Sequence, residues 1–186
     1  MTMRASLTVS LALFGLLVPL AHAADRTASL YQMHEKLLSQ DGKALDLDVY
    51  RGQPVLVTMF YGSCPATCPL IIDTLRAVER KVDEPRRQQL RVLLVSLDAG
   101  RDTPAALRKV ADERRIDTTR WTLAHADAAA VRRIAAALDI QYRQLPNGEF
   151  SHSTIISVLA PDGRILAQSA ELGSADPEVL RALNAP

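Results

Sequence analysis

Cys64 and Cys68 are the only cysteines in this chain of 186 residues. They lie in the segment FYGSCPATCPLII, with three residues between them and a proline after each. Two thiols at this spacing can form a disulfide, exchange electrons as a redox pair or bind a metal as thiolates. A disulfide would close a loop of only five residues, which is worth roughly 2 kcal/mol in the chain-entropy model. A purely structural crosslink is therefore the weakest interpretation.

A third ligand would favour a metal site, and histidine is the residue type to look for. His34 lies in a candidate helix near the N-terminus and is expected to be solvated, and His125 ends a predicted strand as a polar loop residue. His152 directly precedes a predicted hairpin strand, where the chain order places it beside the thiols. Two thiolates and one imidazole form a soft ligand set that suits copper. Zinc would normally need a fourth ligand, for which Met59 and Asp98 are candidate neighbours.

Strands and helices alternate along the chain and would position these residues. The predicted strands are residues 44–48, 54–60, 91–98 and 120–126, followed by a hairpin of 153–160 and 164–170. The predicted helices begin after Cys64, near residue 103, at Asp127 and at Pro177. Parallel β-α-β units followed by a hairpin and a helix predict an α/β, thioredoxin-like fold, with a central mixed sheet flanked by helices. The cysteines follow strand 54–60, at the sheet edge where such folds place their sites.

The prolines at positions 65 and 69 indicate where the helix after the cysteines begins. Proline is tolerated in the first turn of a helix and disrupts its interior, so the helix should begin near residue 66 or 67. Cys64 then precedes the helix and Cys68 lies in its first turn. Unpaired N–H groups and the positive end of the helix dipole are expected to stabilise a thiolate there.

The first 23 residues predict a secretory signal peptide. Arg4 precedes an apolar run from about Leu7 to Leu20, and Ala21-His22-Ala23 resembles a cleavage site. The run is shorter than the roughly 20 residues that a membrane span needs, which favours a cleaved signal peptide. An uncleaved signal that anchors the protein in the membrane is the alternative. Residues 24–186 then form a single domain in the periplasm. The net charge of +1 gives no reason to expect nucleic acid as a partner.

Four segments in order resemble the Sco/SenC family: GQPVLVTMFYGSCPATCPLIIDTL, VLLVSLDAGRDTPAAL, WTLAHAD and LDIQYRQLPNGEFSHSTIISVLAPDGRI. The resemblance implies a thioredoxin-like domain that binds copper through Cys64, Cys68 and His152. It also implies a respiratory partner, the dinuclear copper centre of cytochrome c oxidase, to which copper is delivered or whose cysteines are reduced. Asp98 matches an acidic residue that lies near the site in this family.

This chain departs from the family pattern at several acidic positions. Ala66 and Ser151 stand where many members have aspartate, and the segment DAGRD replaces Asp-Pro-Glu-Arg-Asp. Fewer carboxylates near the thiols mean less local negative charge, which affects how the thiol pKa values are set. All three implied ligands are retained.

Thiol–disulfide exchange is the alternative function. Cys64 would attack, Cys68 would resolve the mixed disulfide as a Cys64–Cys68 disulfide, and a thiol reductant would be a partner. Two features argue against a dedicated oxidoreductase: three residues instead of two separate the cysteines, and Ser153 takes the position of the usual cis-proline. A peroxidase would need an arginine at the thiolate, and Arg101 is a distant candidate. These features favour a copper chaperone that could also exchange disulfides over a dedicated enzyme.

Overall fold

The structure is a computed structural model that describes residues 28–64 and 67–185, with the backbone alone at Thr67. The predicted signal peptide lies outside the described residues, as do Pro65 and Ala66. In the part of the chain that is described, no helix combines the length and the apolar character needed to cross a membrane.

Nine strands form within the described ranges. They are β1 (Lys36–Ser39), β2 (Ala44–Asp46), β3 (Val55–Phe60), β4 (Arg91–Ser96), β5 (Trp121–His125), β6 (Tyr142–Gln144), β7 (Phe150–His152), β8 (Ile156–Leu159) and β9 (Ile165–Ser169). Seven of them form one sheet in the order β2-β1-β5-β4-β3-β8-β9. Strands β3, β4 and β5 run parallel, and the strands outside them pair antiparallel. Strands β6 and β7 form a separate antiparallel hairpin.

The helices follow from local signals in the sequence. They are α1 (Thr67–Lys81), α2 (Arg86–Gln89), α3 (Pro104–Glu113), α4 (Ala128–Ala137) and α5 (Pro177–Asn184). The side chain of Thr103 caps α3 by accepting from the N–H of Ala106, and Asp127 caps α4 in the same way. The predicted strand–helix alternation is therefore confirmed, and so is the α/β, thioredoxin-like class with its central mixed sheet.

The centre of the sheet is the most buried part of the fold. Every residue of β3 is buried, as are the residues of β4 after Arg91, because helices and loops cover both faces. This explains why both strands are continuous apolar runs without alternation. The carboxyl ends of β3, β4 and β5 lie side by side, and the cysteines follow β3 directly.

Two regions differ from the sequence expectations. The candidate helix around His34 is wrong: a 3-10 turn, Leu30–Gln32, is followed by β1, and His34 is exposed with a φ of 51°. Strand β1 pairs with β2 on one edge and β5 on the other, and its residues alternate between exposed and buried because successive side chains point to opposite faces of the sheet. The β6–β7 hairpin, which holds His152 at the end of β7, was not predicted.

Candidate metal centre

The two cysteines lie next to each other where β3 gives way to α1. Cys64 ends the short segment 61–64, in which its N–H donates to the carbonyl oxygen of Tyr61 at 3.2 Å. Cys68 is in the first turn of α1, and its N–H donates to the Sγ of Cys64 at 3.3 Å. Both side chains are buried and both are thiols. The positions that the two prolines predict for the cysteines are confirmed.

The thiol of Cys68 is harder to ionise than its place in the helix suggests. Burial is the largest influence and raises the pKa of Cys68, whereas the backbone of Tyr61 lowers it only in part. The Cys64 thiol and the Asp102 carboxylate raise it further. The net effect is opposite to the thiolate stabilisation expected for the first turn of the helix, because loss of hydration disfavours the charged form of the thiol. Cys68 is protonated at neutral pH until a metal or a base removes its proton.

Asp102 ties the segment 61–64 to the ends of the neighbouring strands. Its buried carboxylate accepts from the N–H of Gly62 at 2.7 Å and from the hydroxyl of Ser96 at 2.5 Å. A Cβ at Gly62 would lie 2.7 Å from the Oδ1 of Asp102, so the absence of a side chain permits this contact. Burial raises the pKa of Asp102. The arrangement holds the approach to Cys64 in place.

His125 also contacts Asp102, through the backbone of that residue. It is the last residue of β5, and its Nδ1 lies 3.0 Å from the carbonyl oxygen of Asp102. Because a carbonyl oxygen can only accept, Nδ1 carries the proton and donates. This supports the interpretation of His125 as a polar residue at the end of a strand.

Aromatic packing brings the β6–β7 hairpin to the cysteine segment. The ring of Tyr61 meets the imidazole of His152 edge to face, with 5.9 Å between centroids and an angle of 79°. The same ring packs on Phe150 at 5.3 Å, and Phe150 packs on Tyr142 within the hairpin at 6.2 Å. Tyr61 therefore contacts His152 from a position three residues before Cys64. Burial raises the pKa of Tyr61, as do the Glu149 and Cys64 side chains beside its hydroxyl.

The imidazole of His152 is prepared to act as a ligand. It is half-buried, and burial lowers its pKa, so the ring is neutral at neutral pH. Its Nδ1 lies 3.0 Å from the carbonyl oxygen of Ser153, which requires the proton to be on Nδ1. The lone pair of Nε2 is then available to a metal, and the hydrogen bond fixes the tautomer and the orientation of the ring.

The structure brings the predicted ligands into one region without assembling them. Among the described residues, no three side chains of His, Cys, Asp or Glu are grouped closely enough to hold a metal ion. Cys64 and Cys68 are neighbours, whereas His152 contacts Tyr61. Two thiols and a neutral imidazole fit a soft metal such as copper by their chemistry. A three-ligand site would require His152 and the thiols to approach one another.

The other residues considered as ligands have separate roles. Met59 is buried within β3. Asp98 accepts from the N–H groups of Gly100 and Arg101 and from the guanidinium of Arg101. Arg101 also donates to the carbonyl oxygen of Gly148, in the turn of the β6–β7 hairpin. Its guanidinium is thus bonded to a carboxylate and a carbonyl, which does not favour the peroxidase interpretation.

Sequence reasoning missed Tyr61 and the bridging contact of Arg101. The position of Tyr61 directly after the apolar strand 54–60 was a usable signal for its closeness to the thiols. Its contact with His152 had no signal, because the two residues belong to elements far apart in the chain.

A thioredoxin-like fold with a buried pair of thiols after its first central strand defines a class of dithiol proteins. Residues 23–184 match the family model described as SCO1/SenC. The match covers most of the chain, so the chain belongs to the SCO1/SenC family, as the resemblance of its motifs predicted.

Two curated relatives are similar over most of the chain. A Stutzerimonas stutzeri protein named for copper binding is 26% identical over 134 residues, which are 70% of this chain and 64% of the relative. The mitochondrial SCO2 homolog of Bos taurus is 27% identical over 146 residues, which are 75% of this chain and 54% of the relative. This chain thus spans less than two thirds of the length of either relative.

Solved structures show the same fold. Arabidopsis thaliana ScoI with copper bound has a TM-score of 0.70 at 17% identity, and the match covers 80% of this chain and 93% of ScoI. BsSco, described as having a disulfide switch and as a member of the Sco family of cytochrome c oxidase assembly proteins, has a TM-score of 0.65 at 20% identity. That match covers 81% of this chain and 92% of BsSco. At these identities the similarity establishes a shared fold.

Proposed function

We propose that this chain is a periplasmic copper-binding protein that passes copper to a respiratory copper protein, such as the dinuclear copper centre of cytochrome c oxidase, or reduces the thiols of that centre. The observation that supports the proposal best is the pair of buried thiols, Cys64 and Cys68, beside a hairpin that presents a neutral imidazole. Family membership and the names of the relatives point the same way. In this proposal residues 24–186 form one domain, secreted through a cleaved signal peptide or anchored by an uncleaved one.

Copper is the cargo, and three side chains would hold it. Cys64 and Cys68 would bind as thiolates, and His152 would bind through Nε2, since its Nδ1 is engaged with the Ser153 carbonyl. Because burial raises the pKa of Cys68, the metal must displace a proton from that thiol. Copper uptake should therefore release protons and weaken as the pH falls.

Copper titration of the reduced, metal-free protein tests this proposal. We expect one equivalent of copper per chain. The His152→Asn variant should lose Cu(II) affinity by at least about tenfold, the lower bound for losing a residue that only orients a ligand. His34→Asn is the matched control, because His34 is exposed and asparagine tolerates its positive φ.

Two results would contradict the proposal at different levels. A His152→Asn protein with undiminished Cu(II) affinity would exclude the three-ligand site while leaving a two-thiolate site. A wild-type protein that takes up neither Cu(I) nor Cu(II) would exclude copper binding altogether.

Thiol–disulfide exchange is a second candidate, because one contact favours it. The N–H of Cys68 donates to the Sγ of Cys64, which stabilises negative charge on Cys64, while burial keeps Cys68 protonated. Cys64 would attack a substrate disulfide and form a mixed disulfide with it. Cys68 would then attack the Sγ of Cys64 and release the reduced substrate. The substrate gains two electrons and two protons, the pair becomes a Cys64–Cys68 disulfide, and a thiol reductant restores it.

Trapping distinguishes this candidate from copper transfer. A Cys68→Ser variant should accumulate a mixed disulfide with a small model disulfide, and a Cys64→Ser variant should not. Equal and slow reaction of both variants would contradict exchange, whatever the copper affinity.

A further inference from the structure

The position of His152 depends on a hairpin that lies outside the main sheet. Among the described strands, β6 and β7 pair only with each other, through the registers Tyr142↔His152, Arg143↔Ser151 and Gln144↔Phe150. The main sheet holds the chain from Ile155 onward, where Thr58 of β3 donates to the Ile155 carbonyl oxygen at 2.8 Å and β8 pairs with β3, but none of its described strands pairs with the hairpin itself. Tyr61 and Arg101 add contacts to the hairpin from outside it.

Arg101 reaches the hairpin from an anchored position. Its Nε donates to the carboxylate of Asp98, whose side chain is 5% exposed and follows the end of β4. The same carboxylate accepts from the N–H groups of Gly100 at 3.2 Å and Arg101 at 3.0 Å, and the N–H of Asp98 donates to Ser96 Oγ at 2.9 Å. The guanidinium is thus held from one side by a buried, well-bonded group.

The other end of the bridge is the turn of the hairpin. A second guanidinium nitrogen of Arg101 donates to the carbonyl oxygen of Gly148. The turn is closed by hydrogen bonds from the N–H of Gly148 to Leu145 O at 2.9 Å and from the N–H of Leu145 to Glu149 O at 2.7 Å. Because the turn is closed and β6 pairs with β7, a constraint on Gly148 reaches His152 four residues later.

We propose that Arg101 is a positioning residue that fixes the β6–β7 hairpin, and with it His152, beside the cysteine segment. The inference rests on the proposed function, in which His152 completes a copper site. Without the guanidinium bridge, the hairpin occupies the position from which the imidazole can join the thiolates for a smaller fraction of the time. The apparent affinity for copper falls in proportion to that fraction. The loss should be confined to copper states that use His152.

The experiment compares Arg101→Gln and Arg101→Lys with Arg143→Gln as the matched control. Arg143 is exposed on β6 of the same hairpin, so its replacement makes the same charge change. Lysine keeps the charge of Arg101 but cannot donate to Asp98 and Gly148 from a planar fork. We expect both Arg101 variants to lose Cu(II) affinity by about tenfold, the value of one hydrogen bond to a charged group, and to change Cu(I) affinity no more than His152→Asn does. The Cu(II) spectrum should shift toward that of His152→Asn.

A copper-free measurement keeps this proposal separate from the proposed function. In metal-free protein, amide hydrogen exchange over residues 142–152 should be faster in both Arg101 variants than in wild type and Arg143→Gln. Unchanged exchange over 142–152 would overturn the positioning role, even if copper binds as proposed. An Arg101→Gln effect on copper affinity that persists undiminished in a His152→Asn background would also overturn it. Faster exchange in a protein that binds no copper would refute the proposed function and retain the role of Arg101 in holding the hairpin.

Discussion

Replacement of Asp102 tests how the buried carboxyl supports the cysteine segment. In Asp102→Ala, the N–H of Gly62 and the hydroxyl of Ser96 both lose their acceptor. Each unsatisfied buried donor costs about 1–3 kcal/mol, so the loss of both acceptors should lower the free energy of unfolding by about 2–6 kcal/mol. In Asp102→Asn the loss should stay below about 1 kcal/mol, because both donors bond to the same oxygen and an amide oxygen can replace it.

The pH dependence of the two proteins gives the same test a second readout. Burial raises the pKa of Asp102 in the folded state, so the folded protein prefers the protonated carboxyl. This contribution to stability is complete below the unfolded pKa of about 3.9 and is lost as the pH rises through the folded pKa. Asparagine does not titrate. The stability of Asp102→Asn relative to wild type should therefore increase from about pH 4 to about pH 7.

Urea denaturation of the reduced, metal-free protein measures both effects. Asp73→Asn and Asp73→Ala are the controls, since the Asp73 side chain is 69% exposed and makes one surface ion pair. If Asp102→Asn loses as much stability as Asp102→Ala, the reasoning is refuted. Such a result would mean that the negative charge of Asp102, and not its acceptor oxygen, stabilises the segment 61–64. A stability difference between Asp102→Asn and wild type that is constant with pH would refute the raised pKa.

Two further predictions concern the thiols and their aromatic neighbour. Tyr61→Ala removes the ring packed on His152 and should lower Cu(II) affinity by up to about tenfold, whereas Tyr61→Phe keeps the ring and should stay within about threefold of wild type. Competition with a copper chelator measures both affinities. Equal losses in the two variants would exclude a role for the packing of the ring. Burial raises the pKa of Cys68, which is the only thiol left in the Cys64→Ser variant. Without metal, this variant should therefore react with iodoacetamide at least about tenfold more slowly than free cysteine at neutral pH. An equal rate would contradict the raised pKa.

Much of the fold was predictable because its strongest signals are local. The strand Val55–Phe60 is an apolar run, α3 begins with Thr103 and Pro104 as capping chemistry requires, and the hairpin of β8 and β9 surrounds a Pro-Asp-Gly turn. The strands that were missed, β1, β6 and β7, have three or four residues each. Segments of this length have too few residues to show a period, and β6 and β7 are largely polar.

The candidate site was predictable in its residues and not in its arrangement. The spacing of the cysteines, their place after a buried strand and His152 before a hairpin strand were all visible in the sequence. The direction of the shift in the Cys68 pKa was not visible, because local rules pointed to the helix dipole and only the packed fold shows that the thiol is buried.

The sequence by itself determined which candidate ligands are present: two thiols and a histidine, attached to elements whose order defines a thioredoxin-like sheet. The tertiary structure decided which side chains contact the thiols, the histidine and the segments that carry them. Tyr61 beside His152, Asp102 beneath Gly62 and Arg101 bonded to Gly148 are contacts between residues 40 to 91 positions apart. No local pattern encodes such contacts, because they arise only when the carboxyl ends of the parallel strands are brought together by the packing of the sheet.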